Sequence, residues 1–571
     1  MERVSKYGFF EARFSASFDG KPFDLPFTAK VTNPDGSKKT VPGFYDGGQE
    51  FVFRFMPEAE GEYRYVTKSS VQELNGQVGS FLCVSAEESN HGMVQVKDRY
   101  WFAYQDGTPY FDAGTTCYAW VHQTEELQEQ TLETLSQGYF SKLRFCVFPK
   151  WYEHNHRQPQ IYPFEGSLET GFDYNKPNVA FFRHLETQVA MLQKLGIQAD
   201  IILFHPYEAD NWRFNFMTEE QDRRYLRYII ARLSAYSNVW WSLANEYDLI
   251  RTGYKRKQSS WKKLIRFVRA QDPYGHLTSI HQMEKMYDHR DRNLTHCSIQ
   301  RTEMFLTAEY VDTWREKFGK PVIVDECVYE GNLNAWWGGI TAQELVRRFW
   351  EATVRGGYLG HGETYAGENI WWSHGGTLKG ESQQRIKFLR SVMASCPNIQ
   401  FSSESGTNNI ARAIAGTDAQ VVYFGVYQPA SYTLHMLGSG NFRVQIIDTW
   451  NMTVEELPEP ITGSAEIPLP GKPYMAILCT AATPGEVQPF TRNSVFEQMK
   501  LTPGGRRLLK FFRHVVPKYY SGMLSLTVNQ CSAQAGGILD GKAGDGILRI
   551  VNKNEFWRGL WQIVTGALHR R

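Results

Sequence analysis

Two glutamates each close an apolar run. Glu246 follows NVWWSLAN (238–245), and Glu326 ends PVIVDE (321–326). Such runs read as strands buried on both faces, and packing gives no reason for a carboxylate at their ends. Two carboxylates delivered by separate strands can flank one substrate. At about 5–5.5 Å they would serve as acid/base and nucleophile in cleaving a glycosidic bond with retention. Glu246 lies beside Trp240, Trp241 and Tyr247, and desolvation raises a carboxyl pKa, as an acid requires. Glu326 must stay ionised to attack, so it needs a cation or donors nearby. Asn245 is a neutral donor suited to a sugar 2-hydroxyl. Strand-end position and this Asn set the pair apart from ordinary exposed loop carboxylates. Asp325 precedes Glu326, and strand alternation predicts that it faces the other way. Asp248 and Glu208 are acidic neighbours with no assigned role.

Residues 91–400 alternate short apolar runs with longer amphipathic stretches, the pattern of βα units. The strand candidates are 109–116, 140–148, 199–204, 238–245, 276–281, 296–300, 321–326 and 357–363. Eight units predict an α/β fold, a (β/α)8 TIM barrel with its active site at the C-terminal strand ends. At that rim His205 and His281 would bind sugar hydroxyls or serve as hydrogen-bonded structural groups. Trp120, His122, Tyr207, Glu363 and Tyr365 are further rim candidates. Residues 1–90 read as an N-terminal β-sandwich, from alternating runs such as FEARFSASF and EFVFRFMP between turn signals. Residues 401–482 return to β as a small C-terminal domain. PGEVQ (484–488) then leads into a helical tail module, 483–571.

The Asn245-Glu246 pair ending the fourth strand, with the lone Glu326 ending the seventh, resembles glycoside hydrolase clan A. Within that clan the barrel resembles the apiosidase-like glycosidases, as does FDYNKPNVAFFRHLETQV (172–189). VPGFYDGGQEFVFRFMPEAEGEYRY (41–65) is similar to the β-sandwich that often precedes such barrels, and IDTWNMT (447–453) to the β-module that often follows them. The resemblance covers roughly residues 1–482. It implies Glu246 as acid/base, Glu326 as nucleophile and Arg144 as a contact of the nucleophile. It also implies an aromatic stacked under the sugar after the eighth strand, at Trp371 or Trp372. The clan often has a strand-six Tyr beside the nucleophile; Gln300 holds that place here.

A net charge of +1 argues against a nucleic-acid partner. No HExxH, Walker or GxSxG motif is present. His205 with Glu208, or His361 with Glu363, could be drawn as metal ligands, but neither set supplies a third, so no metal and no cofactor is expected. An aromatic content of 14% suits sugar stacking, though large β-rich proteins are often as aromatic. The N-terminal stretch lacks an apolar signal region, no run is long enough to span a membrane, and the 8 Cys form no CxxC pair. These features predict a cytoplasmic protein with reduced thiols. From Thr483 onward, 13 Lys and Arg face 5 Asp and Glu. GRRLLKFFRHVV (505–516) in this tail reads as a membrane-surface helix or as part of a packed helical module. The module is favoured, because SVFEQMKLTPGGRRLLKFFRHVVPKYY resembles one found after some bacterial carbohydrate enzymes. It could support a homo-oligomer. The expected substrate is an oligosaccharide or glycoside. The rival readings are a non-catalytic carbohydrate-binding barrel, and an isomerase or lyase using Glu326 as a base.

Overall fold

The computed structural model describes the chain except residues 208, 250–255, 397–401, 404–409, 416–417, 437–439, 483–488, 525 and 569–571. Glu208 and the PGEVQ stretch therefore lie outside the described residues. The chain forms two compact units. One comprises Met1–Met304, Trp314–Leu345 and Tyr358–Lys387; the other comprises Phe305–Thr313, Val346–Gly357 and Phe388–Arg571.

The first unit contains the barrel. Its strands are β1 (Gly114–Thr116), β2 (Lys142–Cys146), β3 (Gln198–Phe204), β4 (Val239–Ala244), β5 (Thr278–Ser279), β6 (Cys297–Gln300), β7 (Val322–Glu326) and β8 (Tyr358–His361). Each overlaps a predicted run, and only β3 extends past its run, by one residue at Gln198. All neighbours pair in parallel, in the order β5-β4-β3-β2-β1-β8-β7-β6. Thr295 bridges the two end strands. Its N–H donates to the Thr278 carbonyl at 2.9 Å, and its Oγ1 accepts from the Thr278 N–H at 2.8 Å. The runs look apolar because their outward faces pack under helices. The inward face carries charge that the barrel satisfies internally. Lys142 Nζ donates to Asp112 at 2.9 Å and to Asp325 at 3.3 Å, while Arg144 donates to Asp200 at 2.8 Å and Ser242 at 3.1 Å. Helix Val179–Lys194 starts at Asn178, whose side chain accepts from Ala180 N–H, and buries Phe181, Phe182, Leu185, Val189 and Leu192. Helix Glu219–Leu233 opens with a capping box of Thr218 and Gln221.

The N-terminal sandwich belongs to the same unit. Its seven strands run in the order Glu2–Ser5, Val78–Val84, Gly61–Ser69, Phe27–Thr32, Lys38–Tyr45, Glu50–Phe55, Phe10–Ser15. Lys38–Tyr45 pairs first with Phe27–Thr32 and, from Gly43 onward, with Glu50–Phe55. A Cβ at Gly43 would lie 2.2 Å from the Phe27 ring, so the crossing needs glycine. The two layers close on an aromatic core, with Phe10 stacked on Phe81 at 4.3 Å.

The second unit contains a β-domain and a helical module. Strands Ala411–Ala415, Ala419–Tyr423, Met475–Ala481, Asn441–Asp448 and Thr453–Glu456 lie adjacent in one sheet, with its core at Val422, Phe424, Val444 and Ile477. The module includes helices Pro503–Val515, Lys542–Lys553 and Phe556–Leu568, which bury Phe496, Leu508, Leu509, Ile547 and Ile550. Two of these helices touch through glycine: a Cβ on Gly546 or Gly559 would lie 2.5 Å from the other's carbonyl oxygen. Among the described residues no helix is long and apolar enough to cross a membrane.

Candidate active site

Glu246, just past β4, and Glu326, the last residue of β7, stand at the same end of the barrel. Glu246 has φ 46°, a left-handed conformation that side chains of this kind rarely adopt. Its N–H donates to His281 Nδ1 at 3.4 Å. In β7 the register against β6 slips by one residue, so Ile299 faces Val324 but Gln300 faces Glu326. This bulge corrects the prediction for Asp325. Simple alternation would turn Asp325 and Glu326 to opposite faces, but the extra residue turns both inward at different depths. Asp325 reaches Lys142 and accepts from Ser298 at 2.5 Å, whereas Glu326 lies above it and accepts from the Tyr118 hydroxyl.

Between the two carboxylates lie groups from β5 and β6. His281, directly after β5, places Nε2 3.9 Å from Glu326 Oε1. Burial, and after it the charge of Arg144, holds this ring well below its ordinary pKa, so it is neutral and forms no ion pair. Gln300, oriented to satisfy its neighbours, donates to the Gln282 carbonyl and to Glu246 Oε1, each at 3.1 Å. Burial, followed by the charge of Glu246, pushes Glu326 up to about 7, against the opposing effects of the Tyr118 hydrogen bond and the charges of Arg144 and Lys150.

Asn245 is 1% exposed and fixed on both sides. Its Oδ1 accepts from Arg144 at 3.1 Å, and its Nδ2 donates to the Tyr207 hydroxyl at 2.9 Å, which also accepts from Lys150 at 2.9 Å. Arg144 thus departs from its expected role. Its described hydrogen bonds go to Asp200, Ser242 and Asn245, and it reaches Glu326 through charge rather than contact. The Tyr that touches Glu326 comes from the loop after β1, not from strand six. Tyr118 and Lys150 received no role from the sequence. Their signal was position alone, in CYAW just past β1 and FPK just past β2.

The two tryptophans after β8 part company. Trp372 joins Tyr118 (5.5 Å), Tyr152 (5.5 Å) and Trp337 (4.7 Å) in an aromatic wall beside Glu326. Trp371 points into the core, where its Nε1 donates to Thr115 at 2.8 Å. His205 Nε2 lies 3.3 Å from the Phe148 carbonyl, and the ring stands 5.1 Å from Tyr207. Trp120 and His122 are buried against backbone carbonyls of Gln128 and Val147. Tyr365 donates to Glu330 at 3.0 Å, and Glu363 accepts from the N–H groups of Lys379 and Gly380. Asp248 caps the backbone of Met283, Glu284 and Lys285. The expectation that His361 and Glu363 lack a third potential ligand is corrected, because Glu330 lies beside them.

Residues 96–399 match the family described as apiosidase-like, catalytic domain. The chain belongs to that family. Apiosidase-like proteins are glycosidases, and this chain is one, acting on a carbohydrate substrate. Residues 3–70 and 410–480 match two families described only as domains of unknown function, DUF5060 and DUF5605. A presumed glycoside hydrolase from Bacteroides vulgatus ATCC 8482 is 37% identical with a TM-score of 0.80, over 84% of this chain and 100% of that one. A glycoside hydrolase family 5 structure from the same organism shares the fold at 14% identity and TM-score 0.52, over 69% of this chain and 96% of that one. No curated protein matches the chain.

Proposed function

We propose that the enzyme is a retaining glycosidase working by double displacement on oligosaccharides or glycosides. Glu246 protonates the glycosidic oxygen while Glu326 attacks the anomeric carbon, and the leaving alcohol departs. Glu246, now a carboxylate, takes a proton from water, which releases the sugar from Glu326 with its configuration retained. The observation that carries this reading is geometric: two strand-end carboxylates flank one pair of groups, with His281 beside Glu326 and Gln300 donating to Glu246. Tyr118 favours the charged form of Glu326, the proposed nucleophile. Asn245, held by Arg144 and Tyr207, is preorganised to donate to the substrate 2-hydroxyl. Trp372 offers an apolar platform for the sugar ring. A carboxyl separation of about 5–5.5 Å is expected in a substrate complex.

The test is to trap the intermediate. A panel of 2-deoxy-2-fluoro aryl glycosides, which slow release of the sugar, should label Glu326 with one sugar per chain by peptide mass spectrometry. The first-formed anomer, read by NMR, should match the substrate. An inverted product, or a label elsewhere, defeats the double-displacement reading. Proton exchange on the substrate without bond cleavage would instead give Glu326 the base role of an isomerase or lyase.

A further inference from the structure

We propose that Glu330, His361 and Glu363 form a binding site for a divalent transition-metal cation of the zinc type. The short strand Glu330–Gly331 pairs in parallel with Glu363–Thr364, so Glu330 stands opposite Glu363. Both carboxylates are buried, at 0% and 2% exposure. One oxygen of each and a ring nitrogen of His361 lie within 4.8 Å of one another.

His361 supplies an independent indication. It is fully buried, with Nδ1 2.8 Å from Thr115 Oγ1. Its Nε2 has no hydrogen-bond partner. A buried polar atom without a partner carries a desolvation cost that something must offset. Metal-bound histidines show this arrangement: one nitrogen fixed by an oxygen, the other turned to the ion. Thr115 Oγ1 is itself held by the Trp371 Nε1–H at 2.8 Å, which steadies the ring.

The carboxylates are oriented in the same manner. Glu363 accepts from the Lys379 N–H (2.6 Å) and the Gly380 N–H (2.7 Å). Glu330 accepts from the N–H groups of Glu381 (2.8 Å) and Ser382 (3.1 Å) and from the Tyr365 hydroxyl (3.0 Å). Neutral donors fix two adjacent buried carboxyl groups side by side, an arrangement that a shared cation would bridge. One nitrogen and two oxygens suit zinc or manganese better than calcium, which prefers six to eight oxygens. The ion would tie the segments beyond β7 and β8 to the start of helix Ser382–Ala394. The first of these segments directly follows Glu326 and the second carries Trp372, so its role would be to stiffen the site rather than to react.

The experiment uses the full chain, stripped with a chelator and dialysed against Zn2+ alone. Elemental analysis should find one zinc per chain, and loading should raise the melting temperature by a few degrees. His361→Gln and Glu363→Gln should each lose the bound zinc and melt alike with and without it. Wild type that retains no zinc overturns the proposal, as do variants that retain it. If the variants fail to fold, pulsed electron paramagnetic resonance of Mn2+-loaded wild type decides. Nitrogen coupling from an imidazole supports the site, and oxygen-only coordination overturns it. Neither outcome bears on the double-displacement reading, which the labelling of Glu326 tests separately.

Discussion

Asp325 and Glu326 are neighbours in the chain, both buried and both turned into the barrel, yet their surroundings drive them apart. Burial alone would raise Asp325, but Lys142 and Arg144 pull it far below the usual carboxylate range. Burial and Glu246 instead push Glu326 up to about 7. In the lower layer each acid meets a base: Lys142 faces Asp112 and Asp325, and Arg144 faces Asp200. At the rim two acids meet each other through His281 and Gln300. The bulge in β7 separates these layers by one residue. Buried charge with an opposite partner holds a geometry, whereas like charges brought together at the rim raise a carboxyl where chemistry can use it.

Removing the rim carboxylates should have the largest effect. Glu326→Gln should abolish turnover of every substrate, a loss of about 10⁴-fold or more. Glu246→Gln should still form the covalent intermediate with aryl glycosides that have good leaving groups, since these need little acid help. Release should then be slow, and added azide should restore it. Steady-state and burst kinetics separate the two outcomes; equal losses that azide does not rescue would contradict the assigned roles.

Stability should respond in the opposite order. Asp325→Asn takes a partner from a fully buried lysine and should cost about 3 kcal/mol in urea unfolding. Glu326→Gln removes like-charge repulsion and should cost nothing, or even stabilise. A larger penalty at Glu326 than at Asp325 would erase the distinction between the layers.

A smaller effect should appear in the pH profile. The proposed nucleophile must be ionised, so kcat/KM on an activated aryl glycoside should fall as pH drops below about 7. Tyr118 donates to Glu326 and favours its charged form. Tyr118→Phe should therefore move this acidic limb to higher pH, with a rate loss of about 10- to 100-fold. Glu246→Gln removes the like charge and should move the limb to lower pH. Shifts in the same direction would mean that Glu326 is not the titrating group.

Much of this was legible in the sequence, because buried parallel strands announce themselves as apolar runs and a terminal glutamate breaks the pattern. The eight strands, the Asn245-Glu246 pair and Glu326 could be read that way. Side-chain direction could not. The bulge that turns Glu326 inward leaves no mark in PVIVDE, and the positive φ at Glu246 leaves none in ANEYD. The clan resemblance implied Arg144 as a contact of Glu326; its bonds to Asp200 and Asn245 depend on register across three strands. Tyr118 and Glu330 act from segments beyond strand ends, where no period constrains a residue. Trp371 and Trp372 are adjacent and chemically identical, and only packing tells the core residue from the wall residue.

The smallest effect on activity should come from the second unit. We propose a division near residue 483, and removing everything beyond it should leave the aryl-glycosidase rate nearly unchanged. Every proposed catalytic and sugar-binding group lies between Tyr118 and Trp372. The helical module has its own core, from Phe490 to Ile563, built wholly from its own residues. Its described ends remain chemically active in another sense. Trp557 and Trp561, one turn apart on helix Phe556–Leu568, are 79% and 71% exposed. Large exposed aromatics in an excess of Lys and Arg mark a contact surface more readily than a solvated one. The rest of the chain carries net negative charge, since the tail's excess of eight positive charges outweighs the total of +1. A second copy could therefore offer an acidic face. Light scattering should then show the truncated protein shifted toward monomer, and Trp557→Ser with Trp561→Ser should reproduce the shift in the full chain. If truncation removes activity while the barrel remains folded by circular dichroism, the tail contributes to the site and the division is wrong. If both forms have the same mass, the exposed tryptophans serve something other than self-association.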